Sequence, residues 1–218
     1  MPPLRLFLTG EPACGKTTVI RRIVNILASQ GMKVGGIISG EIRPGAVRVG
    51  FSLEDVLTHE TGTLAHVNLS DGPRVGKYRV NLSDIERVGA GAIQRAIADA
   101  DVIIIDELGP MELHSEPFIA AVEMALRSPK HLIGTIHKRA SHRLVTAIKS
   151  NPNYQVIEVT VNNREQMPSK ILEQVTAHTR ARIDPSLFTN QNSTQSLNVS
   201  PPDAYGPQKG SHMPPNLQ

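Results

Sequence analysis

The sequence predicts a three-layer α/β sandwich in which helices cover both faces of a largely parallel sheet. Short apolar segments, typical of strands, alternate along the chain with segments whose apolar residues recur at helical spacing. One apolar segment, residues 102–105, is continuous, as expected for a central parallel strand buried on both faces. Ligands bind at the carboxyl ends of the strands in such sheets, so functional residues are expected there.

The elements follow one another without an internal repeat. Short apolar runs predict strands at residues 4–9, 34–39, 47–51, 55–57, 78–80, 102–105, 132–136 and 156–159. Helical spacing predicts helices at residues 18–28, 84–98, 117–126, 141–149 and 164–178. Gly31 ends the first helix, and Asp84 and Glu86 place negative charge in the first turn of the second. Ser115 precedes the third helix, with Pro117 in its first turn.

Composition places the chain among globular proteins. Its 218 residues predict one domain over residues 1–180, followed at 181–218 by a disordered tail rich in Pro, Asn, Gln and Ser. The single cysteine excludes an intrachain disulfide, and no segment has the pattern of a signal peptide or membrane span, which predicts a cytoplasmic protein with no membrane partner. The net charge of +3 suits a small anionic ligand and only weakly suggests nucleic acid. The oligomeric state is not determined, and a monomer is favoured.

A phosphate-binding loop lies between the first strand and the first helix. Residues 10–17 read Gly-Glu-Pro-Ala-Cys-Gly-Lys-Thr, two glycines five residues apart and then Lys and Thr. Backbone amides of such a loop form a concave nest for phosphate oxygens, and Gly15 lets the backbone approach them closely. Lys16 reaches the β- and γ-phosphates as a positive charge, and the Thr17 hydroxyl is suited to bind Mg²⁺.

Two carboxylates follow the central strand. Asp106 is expected to hold the hydration shell of Mg²⁺, and Glu107 to orient or deprotonate a water near the γ-phosphate. The alternative is a pair of solvated acids in a strand-to-loop turn.

A further cation near the γ-phosphate is expected because phosphoryl transfer depends on charge neutralisation. Arg74 is favoured over Lys77, Arg43 and Arg48, although a solvated surface charge explains it equally well. His137 follows the strand at 132–136 and either contacts phosphate or holds a polar turn.

Two other features have ordinary interpretations. Cys14 is interpreted as a small loop residue that contributes a backbone amide, rather than as a redox switch. The run Met111-Glu112-Leu113 is interpreted as local packing and capping, rather than as a second metal site.

Four motifs together resemble one known family. They are the phosphate loop and the stretches at residues 106–113, 72–78 and 159–164, which read Asp-Glu-Leu-Gly-Pro-Met-Glu-Leu, Gly-Pro-Arg-Val-Gly-Lys-Tyr and Val-Thr-Val-Asn-Asn-Arg. Over about residues 3–178 the chain resembles the small P-loop nucleoside-triphosphatases first known from thermophiles, whose relatives include the human cancer-related nucleoside-triphosphatase. The stretch at 106–113 is the most specific of the four.

The resemblance implies a RecA-like sheet of the P-loop NTPase fold, and Mg²⁺-dependent hydrolysis of ATP, GTP or other nucleoside triphosphates with broad base tolerance. By this resemblance the nucleotide lies on residues from two segments: Thr9, Gly10, Glu11, Pro12, Ala13, Cys14, Gly15, Lys16, Thr17 and Thr18, and Val102, Ile103, Ile104, Ile105, Asp106, Glu107, Leu108 and Gly109. Asn163 and Arg164 are placed near the base by the same analogy, although helix capping by Asn163 explains them equally well.

The loop departs from the family pattern at Ala13, where a glycine is usual. If this position requires a positive φ, alanine costs roughly 1–2 kcal/mol. Glu11 is an unusual negative charge beside phosphate and is expected to point outward. Both changes are expected to lower nucleotide affinity without abolishing it.

Two other functions remain open from the sequence. In a nucleotide or RNA-end kinase an acceptor would replace water. No Arg-dense lid is visible, but the short strands at residues 47–57 and the loop to Tyr78 could cover the site. In a slow nucleotide-dependent switch a partner would accelerate turnover.

Overall fold

The computed structural model of the chain describes residues 2–183. The strands in this part of the chain are β1 (Arg5–Thr9), β2 (Val34–Ile42), β3 (Gly50–Asp55), β4 (Thr61–His66), β5 (Arg74–Val75), β6 (Tyr78–Val80), β7 (Val102–Leu108), β8 (His131–Ile136) and β9 (Gln155–Glu158). The α-helices there are α1 (Lys16–Ser29), α2 (Leu82–Asp84), α3 (Gly91–Asp99), α4 (Glu116–Arg127), α5 (Arg143–Ser150) and α6 (Met167–Ile183). A π-helical segment, Ile85–Ala90, joins α2 to α3, and a 3₁₀ turn, Glu112–His114, precedes α4.

The described strands form one mixed sheet, in the order β5-β6-β4-β3-β2-β7-β8-β1-β9. Its β2-β7-β8-β1-β9 half is parallel, as predicted. The other half, from β3 to β6, is antiparallel and extends the sheet beyond β2. The carboxyl ends of the parallel strands therefore lie next to an antiparallel extension, and the functional site forms between them.

Two apolar layers cover the faces of the sheet, which confirms the three-layer prediction. Successive residues of β1 point to opposite layers: Phe7 belongs to the layer built with α3 and α4, and Leu6 and Leu8 to the layer built with α1 and α6. Within β7, Ile104 faces the α1 layer while its neighbours face the other. The continuous apolar run of β7 is therefore buried on both sides, as its sequence predicts.

Side-chain caps fix two of the predicted helix starts. The Asn81 side chain accepts a hydrogen bond from the Asp84 amide at the start of α2. The Ser115 hydroxyl accepts one from the Phe118 amide at the start of α4, with Pro117 in the first turn, as predicted. These caps satisfy amide groups that have no partner inside the helix.

The prediction for residues 47–66 was wrong in detail. Strands were predicted at 47–51 and 55–57, whereas the structure has β3 at Gly50–Asp55 and β4 at Thr61–His66. The Asp55 carboxylate accepts hydrogen bonds from the Leu57 amide and the Thr58 hydroxyl, so the chain turns where a strand was predicted to begin. Strand β4 was missed because its sequence, TGTLAH, lacks an apolar run.

At the carboxyl terminus, α6 runs from Met167 to Ile183. Residues 184–218, most of the predicted tail, lie outside the described part of the chain. Between residues 2 and 183, no helix is long and apolar enough to cross a membrane.

Candidate active site

The phosphate loop connects β1 directly to α1, in the strand–loop–helix setting that the sequence predicts. Gly10 has φ 148°, and a Cβ there would lie 2.3 Å from the Val159 carbonyl oxygen. Gly15 has φ 109° and precedes the first residue of α1. Both positions need glycine, Gly10 for close backbone packing and Gly15 for its left-handed conformation.

Ala13 occupies the left-handed region, with φ 61°. Ala13 therefore has the positive φ that makes alanine unfavourable, and the backbone strain costs roughly 1–2 kcal/mol at this position. Glu11 points outward: Lys138 Nζ lies 3.1 Å from its carboxylate and 2.8 Å from that of Glu158. Because Lys138 bridges these two acids, part of the negative charge beside the loop is neutralised.

Lys16 is buried at the start of α1. Its Nζ donates a hydrogen bond to the Gly10 carbonyl oxygen at 3.3 Å and lies 3.7 Å from Glu107 Oε2. The lysine thus joins the phosphate loop to the end of β7, and it places a positive charge beside the carboxylate predicted to act on water.

Asp106 is fully buried at the end of β7, and the peptide bond that follows it is cis. The Thr135 hydroxyl donates a hydrogen bond of 2.6 Å to its Oδ1. Its Oδ2 has no hydrogen-bond partner among the described residues. Burial raises the pKa of Asp106 to about 6, although the hydroxyls of Thr135 and Thr17 act in the opposite direction. An unpartnered buried carboxylate oxygen near Thr17 fits the predicted cation site.

Two more carboxyl groups lie close by. Burial raises the pKa of Glu107, and the charge and hydrogen bonding of Lys16 oppose that rise. Burial, with the negative charges of Glu107 and Asp106, raises the pKa of Glu112 to about 8. Glu112 accepts a hydrogen bond from the Gly109 amide at 3.2 Å, a local contact consistent with the packing and capping predicted for residues 111–113. In the described part of the chain, no cluster of three or more His, Cys, Asp or Glu side chains could hold a metal.

A cleft of about 610 Å³ adjoins the loop and these carboxylates. It is lined by Pro12, Ala13, Gly15, Lys16, Thr17, Thr18, Ser39, Gly40, Glu41, Arg48, Phe51, Leu64, Val75, Gly76, Tyr78, Glu107, Gly109, Pro110, Met111, Glu112 and His137. The parallel half of the sheet supplies the phosphate loop and the acids, and the antiparallel extension supplies apolar and aromatic side chains.

Arg74 is not brought to the loop, although it was the favoured cation. It lies exposed on β5, outside the cleft lining. Arg48 lines the cleft instead: its Nη1 lies 2.5 Å from Glu41 Oε1, and its Nε donates to the Tyr78 hydroxyl at 3.1 Å. Lys77 Nζ donates to the Arg48 carbonyl oxygen at 3.2 Å, and Arg43 is an exposed partner of Glu41. Arg48 reaches the cleft because distant strands pair, which no local motif shows.

His137 lines the cleft and also holds a turn, so the two interpretations from sequence are compatible. Its Nδ1 accepts a hydrogen bond from the Arg139 amide at 3.3 Å. Burial and the positive charges of Lys16, Arg139 and Lys149 lower the pKa of His137. It therefore offers the cleft a neutral ring.

The residues predicted near the base have two different roles. The side-chain oxygen Oδ1 of Asn163 accepts a hydrogen bond from the Thr160 amide at 2.8 Å, and its Nδ2 donates one to the Glu158 carbonyl oxygen at 2.9 Å, so Asn163 closes a turn. Arg164 lies over the phosphate loop, since a Cβ on Gly15 would be 3.0 Å from Arg164 Cδ.

Several other predicted residues do not line the cleft and instead pack behind the phosphate loop and the two acids of β7. Cys14 is buried and does not line the cleft, in agreement with its interpretation as a small loop residue. The Thr9 hydroxyl is buried without a partner among the described residues. The four apolar residues of β7 are fully buried and position Asp106 and Glu107: Val102, Ile103, Ile104 and Ile105. Phe51 and Tyr78, which line the cleft, were not predicted.

This fold and site define a P-loop NTPase. A glycine loop between β1 and α1 presents a lysine, and two carboxylates at the end of β7 face it. The sequence model of the NTPase family matches residues 5–172, and the chain belongs to this nucleoside-triphosphatase family. The resemblance noted from the motifs is thereby confirmed.

Relatives support the same assignment. Nucleoside-triphosphatase THEP1 of Thermofilum pendens is 43% identical over 176 residues, which is 80% of this chain and 97% of the relative. THEP1 of Methanosarcina acetivorans is 44% identical over 169 residues, 77% of this chain and 94% of the relative. The crystal structure of THEP1 from Aquifex aeolicus superposes with a TM-score of 0.70 at 29% identity, covering 79% of this chain and 99% of that one. The solution structure of a human cancer-related nucleoside triphosphatase gives 0.69 at 33% identity, covering 80% and 98%.

Proposed function

We propose that the protein hydrolyses nucleoside triphosphates to nucleoside diphosphates and phosphate, that the reaction requires Mg²⁺, and that several bases are accepted. One observation carries the proposal. Glu107 Oε2 lies 3.7 Å from Lys16 Nζ, so a carboxylate stands beside the side chain that holds the γ-phosphate in a loop of this type. The names of the relatives favour the same reaction.

The residues of the chain divide the work between binding and proton transfer. The loop amides and Lys16 bind the phosphates and neutralise charge that builds up on the γ-phosphoryl group. Glu107 orients a water and accepts its proton while the water oxygen bonds to the γ-phosphorus. The bond from that phosphorus to the bridging oxygen breaks, and the diphosphate leaves. Burial keeps the pKa of Glu107 above its ordinary value, which makes the group a better proton acceptor when it is ionised.

Thr17 and Asp106 are the residues that would hold Mg²⁺. Their oxygens are hard ligands, and Asp106 Oδ2 is buried without a partner among the described residues. A bound Mg²⁺ would supply charge neutralisation for the phosphate oxygens.

The side chains beside the phosphate loop support the proposal that several bases are accepted. Both polar atoms of the Asn163 side chain bind the backbone of its own turn. Oδ1 accepts from the Thr160 amide at 2.8 Å, and Nδ2 donates to the Glu158 carbonyl oxygen at 2.9 Å. Arg164 offers a planar guanidinium group, and stacking on a guanidinium does not distinguish one base from another by hydrogen bonding. We expect activity on purine and pyrimidine triphosphates.

The test is phosphate release from ATP, GTP, CTP, UTP and the matching diphosphates, with Mg²⁺ or EDTA. Wild-type release is expected with triphosphates and Mg²⁺ only. Glu107→Gln and Lys16→Ala are expected to lower kcat at least 100-fold, because each removes a group at the reacting phosphate. Glu116→Gln, at an exposed residue on α4, is the matched control. Full Mg²⁺-dependent release by Lys16→Ala would contradict the proposal.

A further inference from the structure

The cleft has a second wall to which the proposed hydrolysis assigns no role. We call Arg48, Phe51 and Tyr78 the aromatic wall. The rings of Phe51 and Tyr78 meet edge to face, with centroids 5.2 Å apart. The guanidinium carbon of Arg48 lies 4.8 Å from the Phe51 centroid, and its Nε donates to the Tyr78 hydroxyl. The antiparallel extension therefore presents a cluster of two rings and one guanidinium group to the cleft.

The aromatic wall shares one cleft with the phosphate loop. The cleft measures about 610 Å³ and takes apolar lining from Leu64, Val75 and Met111. Clefts of this size with apolar and aromatic lining bind small organic molecules. Because the proposed function places the base of the triphosphate beside Arg164, and attack by water needs no apolar surface, the wall points to a second ligand.

The charges around the wall favour an anionic ligand. Arg48, Arg43 and Lys77 carry positive charge, and Glu41 is the carboxylate that pairs with both arginines. Lys77 Nζ lies 5.3 Å from the Tyr78 ring centroid. Arg48 lines the cleft, whereas Arg43 and Lys77 are held beside it through Glu41 and the Arg48 carbonyl oxygen, so the wall combines a surface for a ring with nearby positive charge.

Resting on the proposed function, we propose that the aromatic wall binds a nucleoside monophosphate, which accepts the γ-phosphoryl group in place of water. A phosphate oxygen of the monophosphate forms a bond to the γ-phosphorus. The bond from that phosphorus to the bridging oxygen breaks, and its electron pair leaves with the diphosphate of the donor. The monophosphate is a dianion at neutral pH, so no proton has to move and the products are two nucleoside diphosphates.

A mononucleotide fits the wall better than a nucleic-acid strand. Proteins that bind single strands stack successive bases on successive aromatic side chains. The wall has a single pair of rings, and the whole chain has four Phe, three Tyr and no Trp. One aromatic cluster beside one group of cations suits one base and one phosphate.

The experiment supplies ATP labelled at the γ-phosphate, Mg²⁺ and one acceptor, either AMP, GMP, CMP, UMP or an oligonucleotide with a free 5′-hydroxyl, and measures labelled phosphate and labelled acceptor separately. Label is expected on at least one monophosphate. Phe51→Ala and Arg48→Gln are expected to raise the KM for that monophosphate at least tenfold. Arg48 is 40% exposed, so its substitution tests the wall even if Phe51→Ala does not fold. Met124→Ala and Arg127→Gln, at exposed positions on α4, are matched controls.

Glu107→Gln separates the two activities. A dianionic acceptor needs no base, so the variant is expected to lose phosphate release and keep phosphoryl transfer to the monophosphate. The ratio of transfer to release is expected to rise at least tenfold. Release without transfer in the wild type would overturn the acceptor proposal and leave the hydrolase intact. If the wild type shows neither phosphate release nor phosphoryl transfer, both proposals are overturned. An unchanged KM in Arg48→Gln, or label on the 5′-hydroxyl of an oligonucleotide but on no monophosphate, would also overturn the assignment of the wall.

Discussion

Glu112 lies at the bottom of the cleft, with its carboxyl group almost fully buried. Its hydrogen bond from the Gly109 amide does not offset the cost of removing charge from water, and Asp106 and Glu107 add negative charge nearby. Burial therefore raises the pKa of Glu112 from 4.5 to about 8, and the group is protonated in the folded protein at neutral pH.

This protonation makes stability depend on pH. The unfolded chain releases the Glu112 proton above pH 4.5, whereas the folded protein keeps it up to about pH 8. The stability that this group contributes is thus complete below pH 4.5 and is lost as the pH rises towards 8. The side chain of Glu112→Gln stays neutral at every pH. Between pH 4.5 and 8, its free energy of unfolding is expected to rise relative to that of the wild type by up to about 1.4 kcal/mol per pH unit.

The measurement is urea unfolding at pH 5, 6, 7 and 8, in EDTA and without nucleotide. Glu116→Gln removes an exposed carboxylate and should follow the wild-type curve. Parallel curves for Glu112→Gln and the wild type would show that Glu112 is ionised in the folded protein.

Among the elements, the turn after β3 depends on one buried carboxylate. Asp55 is fully buried, accepts hydrogen bonds from the Leu57 amide and the Thr58 hydroxyl, and pairs with Arg95 Nε of α3 at 2.8 Å. Burial alone would raise the pKa of Asp55, but these hydrogen bonds and the charge of Arg95 lower it below its usual range. Asp55 thus links β3, in the antiparallel extension, to α3 in the layer of helices.

Asp55→Ala is expected to cost about 2–4 kcal/mol in free energy of unfolding, because it removes three hydrogen bonds and leaves Arg95 without this partner. Arg95→Met is expected to cost less, since Asp55 keeps two of its hydrogen bonds. A double-mutant cycle by urea unfolding should give a coupling of about 1 kcal/mol, because Asp55 is buried while Arg95 is 37% exposed and partly screened by solvent. The exposed pair Arg127–Glu123 is the control, with a coupling below about 0.5 kcal/mol. Additive losses at Asp55 and Arg95 would argue against this role.

The elements also show what the sequence can predict. The parallel strands and their helices follow from local apolar patterns, and the phosphate loop and the acids of β7 are contiguous motifs. Phe51, Tyr78 and Arg48 meet only because β3, β4 and β6 pair across the sheet. Arg74 was favoured because it lies in a glycine-punctuated loop, but it is exposed on β5 and does not line the cleft.

At the scale of the whole molecule, ligand binding and folding are coupled. The phosphate loop joins β1, which lies between β8 and β9 in the sheet, to α1, whose buried face belongs to the core. A nucleoside diphosphate with Mg²⁺ at 100 times its Kd should therefore add about 2.7 kcal/mol to the free energy of unfolding. This gain corresponds to a rise in Tm of roughly 5–10 °C for a domain of this size.

Differential scanning calorimetry with and without ADP and Mg²⁺ tests this coupling. Lys16→Ala is expected to lose most of the rise in Tm, because the proposed function places this lysine on the phosphates. An equal rise in Lys16→Ala would show that the nucleotide binds elsewhere. Cytoplasmic location, a monomeric state and the disordered tail stay predictions from the sequence.

The short outer strands of the sheet have a further consequence. Within residues 2–183 the sheet ends in β5, which has two residues, and in β9, which has four. Long exposed strand edges recruit strands of other molecules and start aggregation, and short edges suppress this pairing. The antiparallel extension can therefore widen the sheet and bring an aromatic wall to the cleft without creating a surface on which misfolded chains accumulate.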